Sequence, residues 1–207
     1  MEKSGMRIEF CAPMGTGKTT VAKALADYYG WKLVEEPVAD HPFLEDFYTD
    51  PRKYGFENAA FFTVNYIHNV KKLACENTIY DAGHLGNQSY NALSQKTHEE
   101  EAAMSGLYAA ADALPKPDLI IYLDYPTDKI LERITSRGRE MEKDVPASYI
   151  CDLKGEMERL INNANAPVLR LRLEEFDVVA RPDDVKKIAR MIGEKLKKPA
   201  PTKRPTP

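Results

Sequence analysis

Cysteine is scarce in this sequence of 207 residues, and tryptophan occurs once. The three cysteines, Cys11, Cys75 and Cys151, are odd in number, lie far apart and form no Cys-x-x-Cys pair. This pattern excludes a disulfide-stapled fold and a zinc knuckle. It favours a reducing compartment, and we expect the protein to be cytoplasmic.

Long hydrophobic runs and an excess of one charge are also missing. No segment of the sequence approaches the ~18 consecutive apolar residues of a membrane span, so we expect no membrane partner. The 29 lysines and arginines against 32 aspartates and glutamates leave a formal net charge of −3. That balance provides no global attraction for a phosphate backbone or an anionic lipid surface, which excludes general nucleic-acid coating as a function.

Hydrophobic periodicity predicts short strands that alternate with helices. Strands are predicted at 7–12, 31–36, 78–81, 118–124 and 168–173, and helices at 18–29, 56–76, 99–114, 146–164 and 183–197. Such alternation requires crossover connections, and these produce a parallel sheet with helices on its faces. We therefore predict a three-layer α/β fold with a five-stranded parallel sheet in one domain, residues 1–197. The Pro- and Lys-rich residues 198–207 are predicted to form a flexible tail.

A P-loop follows the first predicted strand. Residues 12–19 read Ala-Pro-Met-Gly-Thr-Gly-Lys-Thr, with alanine at the first glycine position of that motif. The glycines let backbone N–H groups point at a β-phosphate, Lys18 reaches the β- and γ-phosphates, and the Thr19 hydroxyl can bind Mg²⁺. The fold is thus predicted to be of the P-loop NTPase type, with a nucleoside triphosphate and Mg²⁺ as its ligands. A P-loop alone does not separate a kinase from a GTPase, an ATPase motor or a switch. The predicted nucleotide-binding residues are Met14, Gly15, Thr16, Gly17, Lys18, Thr19 and Thr20.

Two carboxylate positions follow the next predicted strands. Glu35 and Glu36 end the second strand, at the sheet edge where open α/β folds bind ligands, and a carboxylate there can accept a proton from an attacking hydroxyl. Asp81 ends the third strand at the same edge, where it is predicted to hold Mg²⁺ with Thr19.

Three arginines lie within seven residues, in a segment that we interpret as a helical lid at about 126–145. Arg133 and Arg137 are spaced i and i+4 and share a helical face, and Arg139 follows them. Guanidinium groups spread charge and bond phosphate oxygens bidentately, so this cluster is predicted to contact the transferring phosphoryl group.

Two long segments resemble the deoxynucleoside kinases, most closely their bacterial branch. Residues 35–56 read EEPVADHPFLEDFYTDPRKYGF, and residues 133–153 read RITSRGREMEKDVPASYICDL. The resemblance implies ATP-dependent phosphoryl transfer to a nucleoside, with Glu36 as the base for the 5′-hydroxyl and Tyr48 and Glu142 on the sugar 3′-hydroxyl. It also implies Asp81 near the metal, arginines on the phosphates, and a possible homodimer assembled through helices.

The acceptor side departs from that family's pattern. The family's base-reading Gln falls at Ala59, its following Arg at Tyr66, and the Arg after the third-strand carboxylate at Ala82. Possible replacements as hydrogen-bonding groups are Asn58, Asn65, Asn87 and Gln88, and Phe47 and Phe62 are the residues we expect to stack on a base.

Three hypotheses remain open from the sequence. The first is a deoxynucleoside kinase with an altered base preference. The second retains ATP-dependent transfer but uses a nucleoside monophosphate, or a hydroxymethylated base in DNA, as the acceptor. The third is a kinase-like fold that serves as a non-catalytic binding subunit. Retention of Lys18, Thr19, Glu36 and Asp81 argues against the third, because all the phosphate-side chemistry is present.

Overall fold

The computed structural model describes residues 5–139, 142 and 145–197. The predicted tail, 198–207, and four residues of the predicted lid lie outside this described part. The strands are β1 Arg7–Cys11, β2 Lys32–Val34, β3 Thr78–Tyr80, β4 Leu119–Asp124 and β5 Val168–Arg172. The helices are α1 Lys18–Tyr29, α2 Leu44–Thr49, α3 Gly55–Lys72, α4 His84–Ala92, α5 His98–Asp112, α6 Thr127–Arg137, α7 Ala147–Asn162 and α8 Asp183–Leu196.

The five strands form one parallel sheet in the order β2-β3-β1-β4-β5. Strand β4 shows why apolar and polar residues do not alternate along these strands. Leu119, Ile121 and Leu123 pack toward α1 and α8 on one face of the sheet. Ile120 and Tyr122 pack on the opposite face against α6 and α7. Both faces of the strand are buried, so each large apolar side chain contributes about 1.5–3 kcal/mol of burial free energy. The three-layer architecture predicted from the sequence is confirmed.

The helix after the P-loop begins and ends where its sequence predicts. Gly17 precedes α1 with φ +96°, and Gly30 follows it with φ +65°. The Gly30 N–H bonds the carbonyl of Asp27, which closes the last turn of the helix.

The second strand is shorter than predicted. Only Lys32–Val34 pair with β3, whereas the sequence predicts a strand over 31–36. The chain leaves the sheet because the Glu36 N–H bonds the Asp81 carboxylate at 2.9 Å instead of a neighbouring strand. The helix predicted at 56–76 spans Gly55–Lys72, and the chain then turns back into β3.

Two helices were missed by the sequence analysis. α2 has six residues, and α4 reads HLGNQSYNA, a composition too polar and too rich in Gly and Asn to indicate a helix by periodicity. Burial explains α4: it packs against α3 and α7, so tertiary contacts override weak helix propensity. In the described part of the chain, none of the helices has the length and hydropathy to cross a bilayer.

Gly83, just before α4, provides a test of this packing. A Cβ at Gly83 would lie 2.6 Å from Glu9 Oε2 and 2.8 Å from Glu9 Cβ, and Glu9 is held by Arg7 and Tyr66. We expect Gly83→Ala to lower the free energy of unfolding by about 1–3 kcal/mol, measured by urea denaturation. Gly86→Ala is the matched control. A Cβ there meets no atom within 4 Å, so this change should stabilise α4 by about 0.5–1 kcal/mol. Equal effects of the two substitutions would contradict the packing described here.

Candidate active site

A cleft of about 1130 Å³ opens at the carboxyl edge of the sheet, where the chain leaves β1, β2 and β3. Most of the residues predicted from the sequence line it. They are Met14, Gly15, Gly17, Lys18, Thr19, Thr20, Glu36, Phe47, Tyr48, Asn58, Phe62, Arg133, Arg137, Arg139 and Glu142. Thr16 and Asp81 are buried behind this lining. Residues predicted from segments scattered over more than half of the chain therefore line one cleft.

The P-loop forms the floor of the cleft. Gly15 and Gly17 have φ of +74° and +96°, conformations that favour glycine. A Cβ at Gly15 would lie 2.6 Å from the side chain of Ile134 on α6, so the packing of α6 against the P-loop also requires glycine at position 15. Lys18 Nζ donates to the carbonyls of Ala12 and Pro13, at 2.9 and 3.1 Å, and thus lies across the loop. This arrangement places an ammonium group and the N-terminus of α1 at one spot, which suits an anion.

Asp81 connects the P-loop to the end of β2. Its Oδ2 accepts the Thr19 hydroxyl at 2.9 Å, and its Oδ1 accepts the backbone N–H of Glu36 at 2.9 Å. Burial raises the pKa of the Asp81 carboxyl, while the Thr19 hydrogen bond and Lys18 oppose that shift. The buried Asp81 carboxylate thereby holds the Thr19 hydroxyl and the Glu36 backbone at a fixed separation.

Glu36 lies partly buried in the cleft wall. Burial raises the pKa of its carboxyl, and the nearby Lys18 ammonium lowers it. The negative charge of Asp81 raises it further, and Arg139 opposes that effect. A carboxylate whose pKa is raised above its ordinary value is a better proton acceptor than an exposed one, which suits a general base.

The three arginines have different surroundings. Arg133 donates to the Thr16 carbonyl at 2.7 Å and stacks on Tyr125. Arg139 lies 3.2 Å and Arg137 3.8 Å from the buried carboxylate of Glu142. Glu142 therefore orients two of the three guanidinium groups at the edge of the cleft.

Glu142 also meets the acceptor side of the cleft. The Tyr48 hydroxyl donates to Glu142 Oε1 at 3.2 Å. Burial and the Glu142 charge raise the pKa of Tyr48, so its hydroxyl stays protonated and available as a donor. The two residues that the resemblance implies for the sugar are thus hydrogen-bonded to each other.

The far end of the cleft is aromatic and carries neutral polar groups. Phe47 and Phe62 are buried there beside Asn58 and Asn87. His41 packs on Phe62, with ring centroids 4.7 Å apart. Burial lowers the pKa of His41, and interactions with the backbone and side chain of Asn58 oppose that shift, so Asn58 and His41 lie against each other. This end of the cleft therefore carries two neighbouring polar side chains among aromatic rings.

Asn65 and Gln88, the other residues predicted to replace the family's base-reading groups, lie outside the cleft. Asn65 donates to the Phe61 carbonyl on its own helix, and Tyr66 donates to Glu9 in the core. Gln88 contacts His84, and both residues line a separate cavity. The helical faces explain this: α4 turns Asn87 toward the cleft and His84 away from it.

Tyr90 is a cleft residue that the sequence analysis missed. Its hydroxyl accepts the Met14 N–H at 2.9 Å and so anchors the first turn of the P-loop. Asn87 and Tyr90 are spaced i and i+3, the pattern that would have indicated a shared face if α4 had been predicted. The segment 176–179 after β5, which also lines the cleft, carries no comparable signal.

The residues present fit ATP and Mg²⁺. The P-loop supplies a cationic cradle, and the Thr19 hydroxyl and Asp81 carboxylate are oxygen donors of the kind that Mg²⁺ prefers. A P-loop beside a carboxylate wall and an aromatic, amide-bearing pocket defines a nucleotide-dependent phosphotransferase site on a P-loop α/β fold.

Comparison with known proteins agrees with that class. The family model described as deoxynucleoside kinase matches residues 12–197. A deoxyadenosine/deoxycytidine kinase of Bacillus subtilis is 31% identical over 203 residues, covering 90% of this chain and 91% of the relative. A deoxyguanosine kinase of the same organism is 29% identical over 198 residues, with 88% and 93% covered. This chain belongs to the deoxynucleoside kinase family.

Solved structures show the same fold. The structure of deoxyadenosine kinase from M. mycoides with bound dCTP has a TM-score of 0.76 and 22% identity, and covers 91% of this chain and 100% of that one. The same enzyme with bound dATP also has a TM-score of 0.76, with 21% identity. The sequence-based identification of the family and the fold is confirmed.

The Tyr90 contact predicts a stability effect. In Tyr90→Phe the Met14 N–H loses its partner, so we expect the free energy of unfolding to fall by about 1–2 kcal/mol in urea denaturation. Tyr149→Phe is the matched control, since the Tyr149 hydroxyl is buried without a hydrogen-bond partner in the described residues. Removing that hydroxyl should leave stability unchanged or raise it. A larger loss in Tyr149→Phe than in Tyr90→Phe would contradict the assignment.

Proposed function

We propose that this protein transfers the γ-phosphoryl group of ATP to the 5′-hydroxyl of a deoxynucleoside, with Glu36 as the general base. The observation that carries the proposal is the Thr19–Asp81–Glu36 connection, which joins a phosphate cradle to a carboxylate at the mouth of an aromatic pocket. The cysteine pattern favours a cytoplasmic location, and the family resemblance a homodimer; both belong to the proposal.

The chemistry follows from the placement of these groups. Glu36 accepts the proton of the acceptor hydroxyl as the oxygen forms a bond to the γ-phosphorus, and the bond from that phosphorus to the β,γ-bridging oxygen breaks, leaving ADP. Lys18 and the lid arginines stabilise the charge on the transferring group. When bound to Thr19 and Asp81, Mg²⁺ supplies charge neutralisation on the phosphates.

The acceptor base is proposed to be read by neutral amides. Asn58 and Asn87 each offer a donor and an acceptor, and such an amide pairs with an amino group beside a ring nitrogen, as adenine presents. Arg133 donates to the P-loop carbonyl of Thr16, and Arg137 and Arg139 pair with Glu142, so each arginine described in the cleft already has a protein partner, whereas bidentate arginine is the commonest partner of guanine. An amino-bearing base is therefore favoured, which agrees with the name of the Bacillus subtilis deoxyadenosine/deoxycytidine kinase.

The proposed function is tested by measuring transfer of labelled γ-phosphate from ATP, in the presence of Mg²⁺, to a panel of acceptors. The panel contains the four deoxynucleosides, their monophosphates, and DNA with and without hydroxymethylated bases. We expect label on deoxyadenosine or deoxycytidine in preference to deoxyguanosine. Label only on monophosphates or on DNA would reject the proposed acceptor, and no transfer with ATP bound would favour a binding subunit.

The role of Glu36 has a matched control in its neighbour. Glu36→Gln keeps the shape of the side chain but cannot accept a proton, so kcat should fall by about 10²-fold or more while the KM for ATP changes little. Glu35→Gln removes an exposed carboxylate one residue away and should leave kcat within severalfold of the parent value. Equal losses in both variants, or an equal loss of ATP binding in Glu36→Gln, would show that the segment acts structurally.

A further inference from the structure

Tyr90 lies where the P-loop wall and the acceptor wall of the cleft meet. On the P-loop side, its hydroxyl accepts the Met14 N–H at 2.9 Å. On the acceptor side, its ring meets the ring of Phe47 edge to face, with centroids 6.2 Å apart. Met14, Phe47 and Tyr90 all line the cleft. One side chain of α4 therefore contacts both halves of the site, although it belongs neither to the P-loop motif nor to the segments that resemble the family.

Apolar packing holds the Tyr90 ring in place. The ring packs against the buried cluster between the sheet and α7, which includes Tyr122, Ile150 and Leu153. A side chain that is already ordered in this way loses little rotamer entropy when a ligand arrives. The hydroxyl of Tyr90 is therefore fixed in position before any substrate binds.

The Tyr90 hydroxyl has a proton that the described residues do not use. A phenol hydroxyl can accept and donate at once, and the Met14 contact uses it only as an acceptor. Burial raises the pKa of Tyr90 well above its ordinary value, and the neighbouring Tyr48 and Glu36 raise it further, so the hydroxyl is protonated at pH 7. Within the described part of the chain, this hydroxyl donates to no protein group. Its proton is therefore available to a ligand.

Three residues that line the cleft surround this hydroxyl. Met14 contacts it directly, and Tyr48 and Glu36 lie close enough for their charges to shift its pKa. The P-loop is the cradle for the phosphates, and Glu36 is the proposed base for the acceptor hydroxyl. The γ-phosphoryl group and the acceptor oxygen must meet between these two elements. The Tyr90 hydroxyl therefore lies beside the place where phosphoryl transfer is proposed to occur.

We propose that Tyr90 is a catalytic residue whose hydroxyl donates a hydrogen bond to a non-bridging oxygen of the transferring γ-phosphoryl group. This role rests on the proposed function and adds no new bond change to it. The acceptor proton goes to Glu36, and the Tyr90 proton stays on its own oxygen. Lys18 and Arg133 already bond P-loop carbonyls, whereas the Tyr90 proton is free. A fixed donor beside developing negative charge lowers the barrier without reorganisation during the reaction.

The contact is measured by comparing transfer from ATP with transfer from ATPγS, which carries sulfur on the γ-phosphorus. Sulfur is a weaker hydrogen-bond acceptor than oxygen, so the ratio of kcat with ATP to kcat with ATPγS contains the contribution of the Tyr90 donor. In Tyr90→Phe we expect kcat with ATP to fall about tenfold to hundredfold, and the ratio to fall severalfold. Tyr149→Phe removes a buried hydroxyl from the same apolar cluster and should leave both quantities unchanged.

A ratio in Tyr90→Phe equal to that of the parent protein would overturn the proposal, since Tyr90 would then serve only to anchor Met14. No transfer by the parent protein would instead reject the proposed function, and the role of Tyr90 with it.

If Tyr90→Phe fails to fold by circular dichroism, Tyr90→3-fluorotyrosine provides the second variant. The fluorinated ring keeps the oxygen that accepts the Met14 N–H, and its hydroxyl is a stronger donor. The ratio of kcat values should then exceed that of the parent protein. An unchanged or lower ratio would overturn the proposal.

Discussion

The carboxylate of Asp81 holds the two halves of the active site at a fixed separation. It accepts the Thr19 hydroxyl on one oxygen and the Glu36 N–H on the other. Both bonds are made in a buried setting where an unpaired carboxylate would be costly, so the geometry is strongly determined. The second bond also ends β2 early, because it draws the Glu36 backbone away from the sheet. Fold and site thus depend on the same side chain.

The phosphate side of the site could be predicted because its residues are local in sequence. The P-loop is one contiguous motif, and Glu36 and Asp81 follow strands whose carboxyl ends must meet at one sheet edge. Parallel-strand topology therefore converts sequence position into spatial position. No comparable rule operates on helices, where a change of one residue turns a side chain by about 100°.

The acceptor side shows this limit in particular residues. Asn58 and Asn87 line the cleft, whereas Asn65 and Gln88, chosen on the same grounds, face other parts of the molecule. Tyr90 was missed because α4 is too polar to be recognised by periodicity, and its formation depends on packing against α3 and α7. These positions are set by contacts between distant segments, which periodicity in one segment cannot show.

The most direct test of the account is Asp81→Ala, with the KM for ATP and the KM for the acceptor deoxynucleoside measured separately. If Asp81 positions both Thr19 and Glu36, both KM values should rise by about tenfold or more, because each side loses a hydrogen bond to a charged group. Asp124→Ala is the control. This carboxylate ends strand β4 and pairs with Lys154 outside the cleft, so its removal should leave both KM values unchanged. A rise in the KM for ATP alone would contradict the account, since Asp81 would then serve only the phosphate side.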